Sequence, residues 1–252
     1  MIKISVITIN YNNAEGLART VKSVVDQDYC NIDYIVIDGG STDASAAIIA
    51  ANSADISYTV SEKDKGVYDA QNKGLAKATG EYVLVLNAGD ELADETVLKR
   101  VFASGQQADI VYGNMIIVHP DGRRENGRMP SQMDMNHMMS DTLWHPVSFV
   151  KKSFLDKVGF YDTSYKIVAD YDWFLRAIFK HKATLHYIHT NISVFYLGGL
   201  SSLPENAAKI KEERMRSQTA VFGEEPVKQW YASQPVPSRS LFSRILKRLR
   251  SS

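Results

Sequence analysis

The chain has 252 residues, 44% of them hydrophobic and 23% charged, with a formal net charge of zero. That balance suits one large globular domain with a sizeable core, or such a domain with a C-terminal appendage, and it speaks against a uniformly basic nucleic-acid binder. The lone cysteine, Cys30, rules out an internal disulfide, and CxxC zinc spacing is absent.

The charge is unevenly spread. Between Pro226 and Ser252 there are six Lys or Arg residues and no acid, so residues 1–225 hold 23 basic and 29 acidic groups, a balance of −6. A basic tail on an acidic body hints at a separate job for the tail. Met1 and Ile2 lead into "KISVITINY" without the ordered regions of a signal peptide, and no stretch approaches a membrane span in apolar length. A cytoplasmic protein is expected.

In chain order, "ISVITINY" (4–11) reads as a strand covered on both faces. "NNAEGLARTVKSVVDQD" follows, with Leu17, Val21, Val24 and Val25 at helical spacing. "DYIVIDGG" (33–40) is a second strand ending in Asp38, and "STDASAAIIAAN" a helix with a capping start. "ISYTVSEKDKG" is a short strand and polar loop, "VYDAQNKGLAKATG" a helix closed by Gly80, "EYVLVLNAGD" a strand and "DETVLKRVFASG" a helix. This alternation predicts an α/β fold with a doubly wound, mostly parallel sheet, whose ligands bind at the carboxyl ends of the strands.

From about residue 109 the pattern changes. "DIVYGNMIIVHPDGRR" predicts two strands around a turn, and "GRMPSQMDMNHMMSD", without periodicity, a mobile loop or part of a substrate groove. "WHPVSFVKKSFLDKVGFYD" predicts a strand and a helix, and "VADYDWFLRAIFKH" an amphipathic helix with acids at its start. "ATLHYIHTNISVFYLGGLSS" reads as strands with a glycine turn, and "PENAAKIKEERMRSQTAVFG" as a further helix.

Three groups of polar residues fall at strand ends. Asp38 can accept from a base N–H or a ribose hydroxyl, or it simply begins a capped turn. The loop around Gly66 holds Glu62, Asp64, Lys65 and Lys73, a mixed charge that is ordinarily a solvated surface. At the tip of the fourth strand, Asp90 is suited to a divalent metal beneath a diphosphate, with Asn87 supplying a neutral oxygen; alternatively "GDELADETV" starts the next helix with acids. Farther on, Asp170 can act as a general base or as a favourable acid at a helix N-terminus. His145 can touch metal or diphosphate or be a structural histidine.

The order of these segments decides between such readings. "ISVITINYNNAEGLARTVKSVVDQDYCNIDYIVIDGGSTD", "SEKDKGVYDAQNKGLAKATGEYVLVLNAGDEL" and "VADYDWFLRA" resemble the family 2 glycosyltransferases, bacterial surface-polysaccharide type, with the Rossmann-like GT-A fold, over most of residues 2–200. The resemblance implies that Thr8, Asn10 and Tyr11 border a nucleotide pocket, that Asp38 and Asp64 contact the nucleoside, and that Asp170 is the catalytic base. Donor binding extends to Lys73 and Asn87, with Mn²⁺ or Mg²⁺ on Asp90 and His145. "FYLGGLS" (195–201) resembles a late loop closing near diphosphate or acceptor. Two departures stand out: Gly39 replaces a second aspartate after strand two, and Asn87 and Gly89 replace both outer aspartates of the DxD signature.

The implied activity is a single inverting displacement from a nucleotide-sugar donor to a hydroxyl of a glycan, including a lipid-linked glycan. Residues 1–108 form the donor half, 109–225 the acceptor and base half, and 226–252 a basic tail. In "SRSLFSRILKRLRSS" the apolar residues recur on one helical face, which suits peripheral contact with an anionic membrane, or packing on the domain or on a second subunit of a homo-oligomer. The alternatives are a non-catalytic nucleotide-sugar or glycan-binding protein and a nucleotidyltransferase; "ITINYNNAEG" offers no phosphate loop for the latter.

Overall fold

The computed structural model describes residues 1–103, 105 and 107–233, with Leu200 by its backbone alone. The amphipathic stretch expected to meet a membrane, 238–252, lies outside the described residues. Among the described residues, no helix is long and apolar enough to cross a membrane. In chain order the elements are β1 (Ile4–Asn10), α1 (Ala14–Val25), β2 (Ile32–Asp38), α2 (Ser45–Ala51), β3 (Tyr58–Ser61), α3 (Val67–Lys77), β4 (Tyr82–Val85), β5 (Glu91–Leu92) and α4 (Val97–Phe102). There follow β6 (Ile110–Val118), β7 (Arg124–Gly127), α5 (Met135–Ser140), β8 (Ser148–Lys151), α6 (Lys152–Val158), α7 (Ala169–Leu175), β9 (Leu185–Tyr196), α8 (Ala207–Phe222) and α9 (Glu224–Ser233).

The sheet runs β3-β2-β1-β4-β8-β6-β9-β5, with β7 paired to β6. Strands β3, β2, β1 and β4 are mutually parallel, as are β6 and β9. Strand β8 is antiparallel to both of its neighbours and joins the two parallel groups. In register, Asn10 lies opposite Asp38 and Ile7 opposite Val85, so the carboxyl ends of β1, β2 and β4 share one edge. Beyond the end of β4, Leu86 and Ala88 still donate to the Ile7 and Ile9 carbonyls, at 2.9 and 3.0 Å. Asn87, between them, is therefore delivered to that edge by β1 as much as by its own strand.

The apolar runs that predict strands are buried because helices cover both faces: Ile4, Val6, Ile7, Ile35, Val36, Ile37 and Leu84 are fully enclosed. Helix α1 begins where the Asn13 side chain accepts from Gly16 N at 3.1 Å, and it packs Leu17, Val21 and Val24 inward.

Several local expectations are corrected. Helix α3 ends at Lys77, so Gly80 does not close it. Gly80 instead lies where the chain enters β4, and a Cβ there would stand 2.4 Å from Ser5 N, a close backbone approach that needs glycine. Helix α2 has Ala44 at its cap without a capping side chain; Asp43 accepts from Ser45 N and also from Ala14 N, tying the helix to the start of α1. The methionine-rich segment does not line the cavity at the sheet edge, and it ends in a helix. Met129, Met133, Met138 and Met139 are buried, the last two on α5, and they fill the interior with an adaptable side chain. Helix α7 is not amphipathic, since Ala169 and Tyr171 to Leu175 are all buried, and it passes into a π turn at Arg176–Lys180. Residues 185–196 form one long strand, not several.

Candidate active site

Asn10, Tyr11, Asp64, Asn87, Asp90, His145 and Asp170 line one open cavity of about 1110 Å³ at the carboxyl edge of the sheet. That is just above the ~300–1,000 Å³ usual for ligand pockets, room for more than one small substrate. Thr8, Asp38 and Lys73 lie outside its wall. Thr8 is buried with its hydroxyl 3.1 Å from the Tyr34 phenol. Lys73 is held by Glu62 at 2.8 Å and Asp69 at 3.6 Å. Asp38 is buried beneath the floor, where Ser41 N donates to it at 2.9 Å and the Ser41 and Ser61 hydroxyls at 2.6 Å.

Asn10 links floor and cavity. Its Nδ2 is 2.8 Å from Asp38 Oδ1 and 2.9 Å from the Ser45 hydroxyl, while its Oδ1 is buried without a protein partner. Burial opposes charge on Asp38, yet the Ser41 and Ser61 hydroxyls, the Ser41 N–H and the Asn10 amide outweigh it and hold the carboxyl below its usual range. Tyr11 stands 66% exposed at the rim, a free aromatic face. Asp64 accepts from Gly66 N at 2.9 Å. A Cβ on Gly39 would come within 2.6 Å of Asp64 Oδ2, a contact that a shift of the carboxylate relieves.

The tip after β4 is clamped from α1. Thr20, fully buried, donates to the Asp90 carbonyl at 2.6 Å and accepts from Gly89 N at 2.9 Å. Gly89 runs at φ +110, a conformation that an L side chain rarely adopts. Burial pushes the Asp90 carboxyl up to about 7, against the charge of His145 and the Asn87 N–H.

A chain of hydrogen bonds joins this tip to Asp170. Gln71 Nε2 donates to Asn87 Oδ1 at 3.0 Å; Asn87 Nδ2 is 3.1 Å from His145 Nε2; His145 Nδ1 is 3.1 Å from Asp170 Oδ2. The Tyr68 hydroxyl completes it, 2.9 Å from Asp170 Oδ1 and 2.6 Å from the Ile167 carbonyl. Burial opposes charge on both members of the central pair, but their mutual hydrogen bond and attraction dominate: His145 is raised and Asp170 lowered from their ordinary values. Gln71, Tyr68 and Thr20 are absent from the sequence reading; no local signal marks them, because their partners lie 16 to 102 residues away.

Arg19, Lys63 and Lys166 add positive charge to the cavity wall. Among the described residues, no three His, Cys, Asp or Glu side chains gather as a metal set. Asn87 Oδ1 is engaged by Gln71, Gly89 has no side chain, and both His145 nitrogens face protein partners. A divalent ion still fits through Asp90 together with oxygens that a diphosphate brings, since Mg²⁺ commonly sits on one or two carboxylates plus substrate phosphates.

The Mycobacterium bovis (strain BCG / Pasteur 1173P2) protein named "PGL/p-HBAD biosynthesis glycosyltransferase" is 30% identical over 206 residues, covering 79% of this chain and 78% of that protein. Among solved structures, S. aureus TarS 1-349 in complex with UDP-GlcNAc superposes with a TM-score of 0.67 at 18% identity, covering 90% of this chain and 69% of that one. Against the longer TarS structure, the chain spans 42% of the length. The mannosyltransferase PcManGT from Pyrobaculum calidifontis, with GDP-Man and Mn²⁺, gives 0.62 at 15% identity, covering 99% and 86%. These low identities establish a shared fold, that of the GT-A glycosyltransferases. The family profile described as "Glycosyl transferase family 2" matches residues 5–169, and the chain belongs to that family.

Proposed function

We propose that the protein transfers a sugar from a nucleotide-sugar donor to an acceptor hydroxyl with inversion, using Asp170 as the base. The observation that carries this reading is the placement of Asp170. Its carboxylate is held by His145 and Tyr68 in the wall of the cavity that also holds Asn10, Tyr11, Asp64 and Asp90. The nucleoside lies at the Tyr11 and Asp64 end, with Asp38 supporting it from below through Asn10 and Ser41. The sugar then points toward Asp170. Asp170 takes the proton from the acceptor hydroxyl as that oxygen attacks the anomeric carbon. The bond from that carbon to the diphosphate breaks, and the nucleoside diphosphate leaves with the electron pair. Arg19, Lys63 and Lys166 offset the charge that gathers on it. Asp90, with phosphate oxygens of the donor, would hold a divalent ion, which would supply further positive charge to the departing diphosphate.

UDP-GlcNAc in TarS and GDP-Man with Mn²⁺ in PcManGT support a nucleotide-sugar donor and a divalent ion. The mycobacterial relative, named for PGL/p-HBAD biosynthesis, supports a role in bacterial biosynthesis; the acceptor in this proposal is a lipid-linked glycan, reached from the cytoplasmic side of the membrane. The test is a binding and turnover screen against UDP-, GDP- and dTDP-sugars, with and without Mn²⁺ or Mg²⁺, and NMR of the product's anomeric configuration. Release of one nucleoside diphosphate with an inverted product supports the assignment. Binding without turnover toward any acceptor favours a non-catalytic binding protein, the reading that the reduced DxD motif allows.

A further inference from the structure

We propose that His145 is a positioning residue for the base Asp170, and that Asn87, set by Gln71, fixes the ring orientation that this requires. The inference rests on Asp170 being the base; it adds a purpose for the asparagine at the tip of β4 and moves His145 from the metal to the base.

The direction of the hydrogen bonds carries the argument. The Asn87 amide oxygen accepts from Gln71 Nε2 at 3.0 Å, so the NH₂ group is what Asn87 turns toward the ring, 3.1 Å from Nε2. A donor at Nε2 makes that nitrogen the acceptor and leaves the ring proton on Nδ1. Nδ1 is 3.1 Å from Asp170 Oδ2. Tyr68, from α3, meets the other carboxylate oxygen at 2.9 Å. The carboxylate is thus pinned at both oxygens by groups from separate elements, and each oxygen keeps a lone pair for an incoming proton.

Gln71 is 2% exposed and turns its Nε2 toward Asn87, while its Oε1 is buried without a protein partner. An aspartate at position 87 would accept at Nε2 instead of donating. The ring proton would be drawn away from Nδ1, and a lone pair would face Asp170. A histidine serving a metal or diphosphate needs a nitrogen open to the cavity; here both nitrogens are engaged within the protein. Control of the base is worth having, because misplacement of a reacting group by about 1 Å costs roughly 10²-fold in rate.

The experiment compares H145N and H145Q with wild type on whichever sugar nucleotide wild type turns over in the donor screen. An asparagine amide sits near the place of Nδ1, and a glutamine amide near the place of Nε2. H145N is expected within about 10-fold of wild-type kcat, with H145Q down on the order of 10²-fold. Neither should change the donor KM or the Mn²⁺ dependence of nucleoside diphosphate binding. The opposite ranking, or a loss of Mn²⁺-dependent binding in both variants, overturns the proposal in favour of a metal or diphosphate role. Nitrogen-15 NMR of histidine-labelled protein, taken to a pH at which the His145 ring is neutral, tests it without activity and without relying on folded variants at 145: the neutral ring should be the Nδ1–H tautomer, and a neutral ring protonated on Nε2 alone refutes it. If wild type turns over no sugar nucleotide while its ring is the Nδ1–H tautomer, the transferase reading has failed and the base-positioning role falls with it, although the hydrogen-bond chain stands.

Discussion

Gly89 shows how one backbone angle governs the chemistry of the tip. At φ +110 the turn carries Asp90 inward under the Thr20 clamp, and a side chain at 89 would be strained whatever space surrounds it. G89D, which puts an aspartate where the resemblance implies one, is therefore expected to lower stability by about 1–3 kcal/mol. Urea unfolding measures this; a midpoint equal to wild type would show that the turn relaxes freely. The same variant should gain no Mn²⁺ affinity by calorimetry, because the new carboxylate must first distort the clamp. Asp170 gives a complementary prediction: D170N should keep donor affinity and lose about 10²–10⁴-fold in turnover, the range for removal of a general base. Equal loss of affinity and rate would instead assign Asp170 to donor binding. The positions of Asp170 and of Asn87–Asp90 in one cavity were legible because both lie in contiguous motifs that carry the resemblance. Thr20, Tyr68 and Gln71 were not, since each acquires its role only when a distant segment folds against it.

Among the elements, α8 has a purpose that its own sequence does not announce. Glu213, only 2% exposed, accepts from the backbone N–H groups of Lys166, Ile167 and Val168 at 2.9, 3.0 and 3.3 Å. These are the residues just before α7, where Val168 offers no capping side chain. The N–H at the cap position thus finds its acceptor 45 residues away, and Ser217 adds a hydrogen bond to Asp172 at 2.8 Å. E213A should cost about 3 kcal/mol by orphaning buried donors, and E213Q about 1–2, since one amide oxygen still accepts. Hydrogen exchange at 166–168 checks it: unchanged protection in E213A would sink the capping account. Composition explains the limits of the sequence reading at this scale. Apolar runs rich in Val and Ile make β1, β2 and β4 plain, whereas methionines without a period carry no trace of the interior they fill around α5.

For the molecule as a whole, the parallel half was readable from the βα alternation. The insertion of antiparallel β8 between β4 and β6 was not, because strand order depends on contacts between distant segments. What locks the readable half together is partly polar. Asp33, on β2 and 6% exposed, accepts from the Ser5 hydroxyl of β1 at 2.6 Å and from Thr79 N and Oγ1, ahead of β4, at 2.9 and 2.8 Å. Burial works against its charge, but the Ser5 hydroxyl, the Thr79 N–H and hydroxyl, and the charge of Lys3 outweigh it, so the carboxyl titrates below its usual range. A folded-state pKa below the unfolded value of about 3.9 means that the native state binds this proton less readily than the unfolded chain. Its contribution is fully present above that unfolded value and is lost as the pH falls through the lower folded one. D33N should therefore cost about 1–3 kcal/mol at pH 7 and progressively less toward pH 3. Urea unfolding of wild type and variant at both pH values measures the difference. A gap that stays constant with pH would mean that Asp33 acts through shape alone, whereas a gap that closes in acid would assign part of the sheet's acid sensitivity to this buried carboxylate.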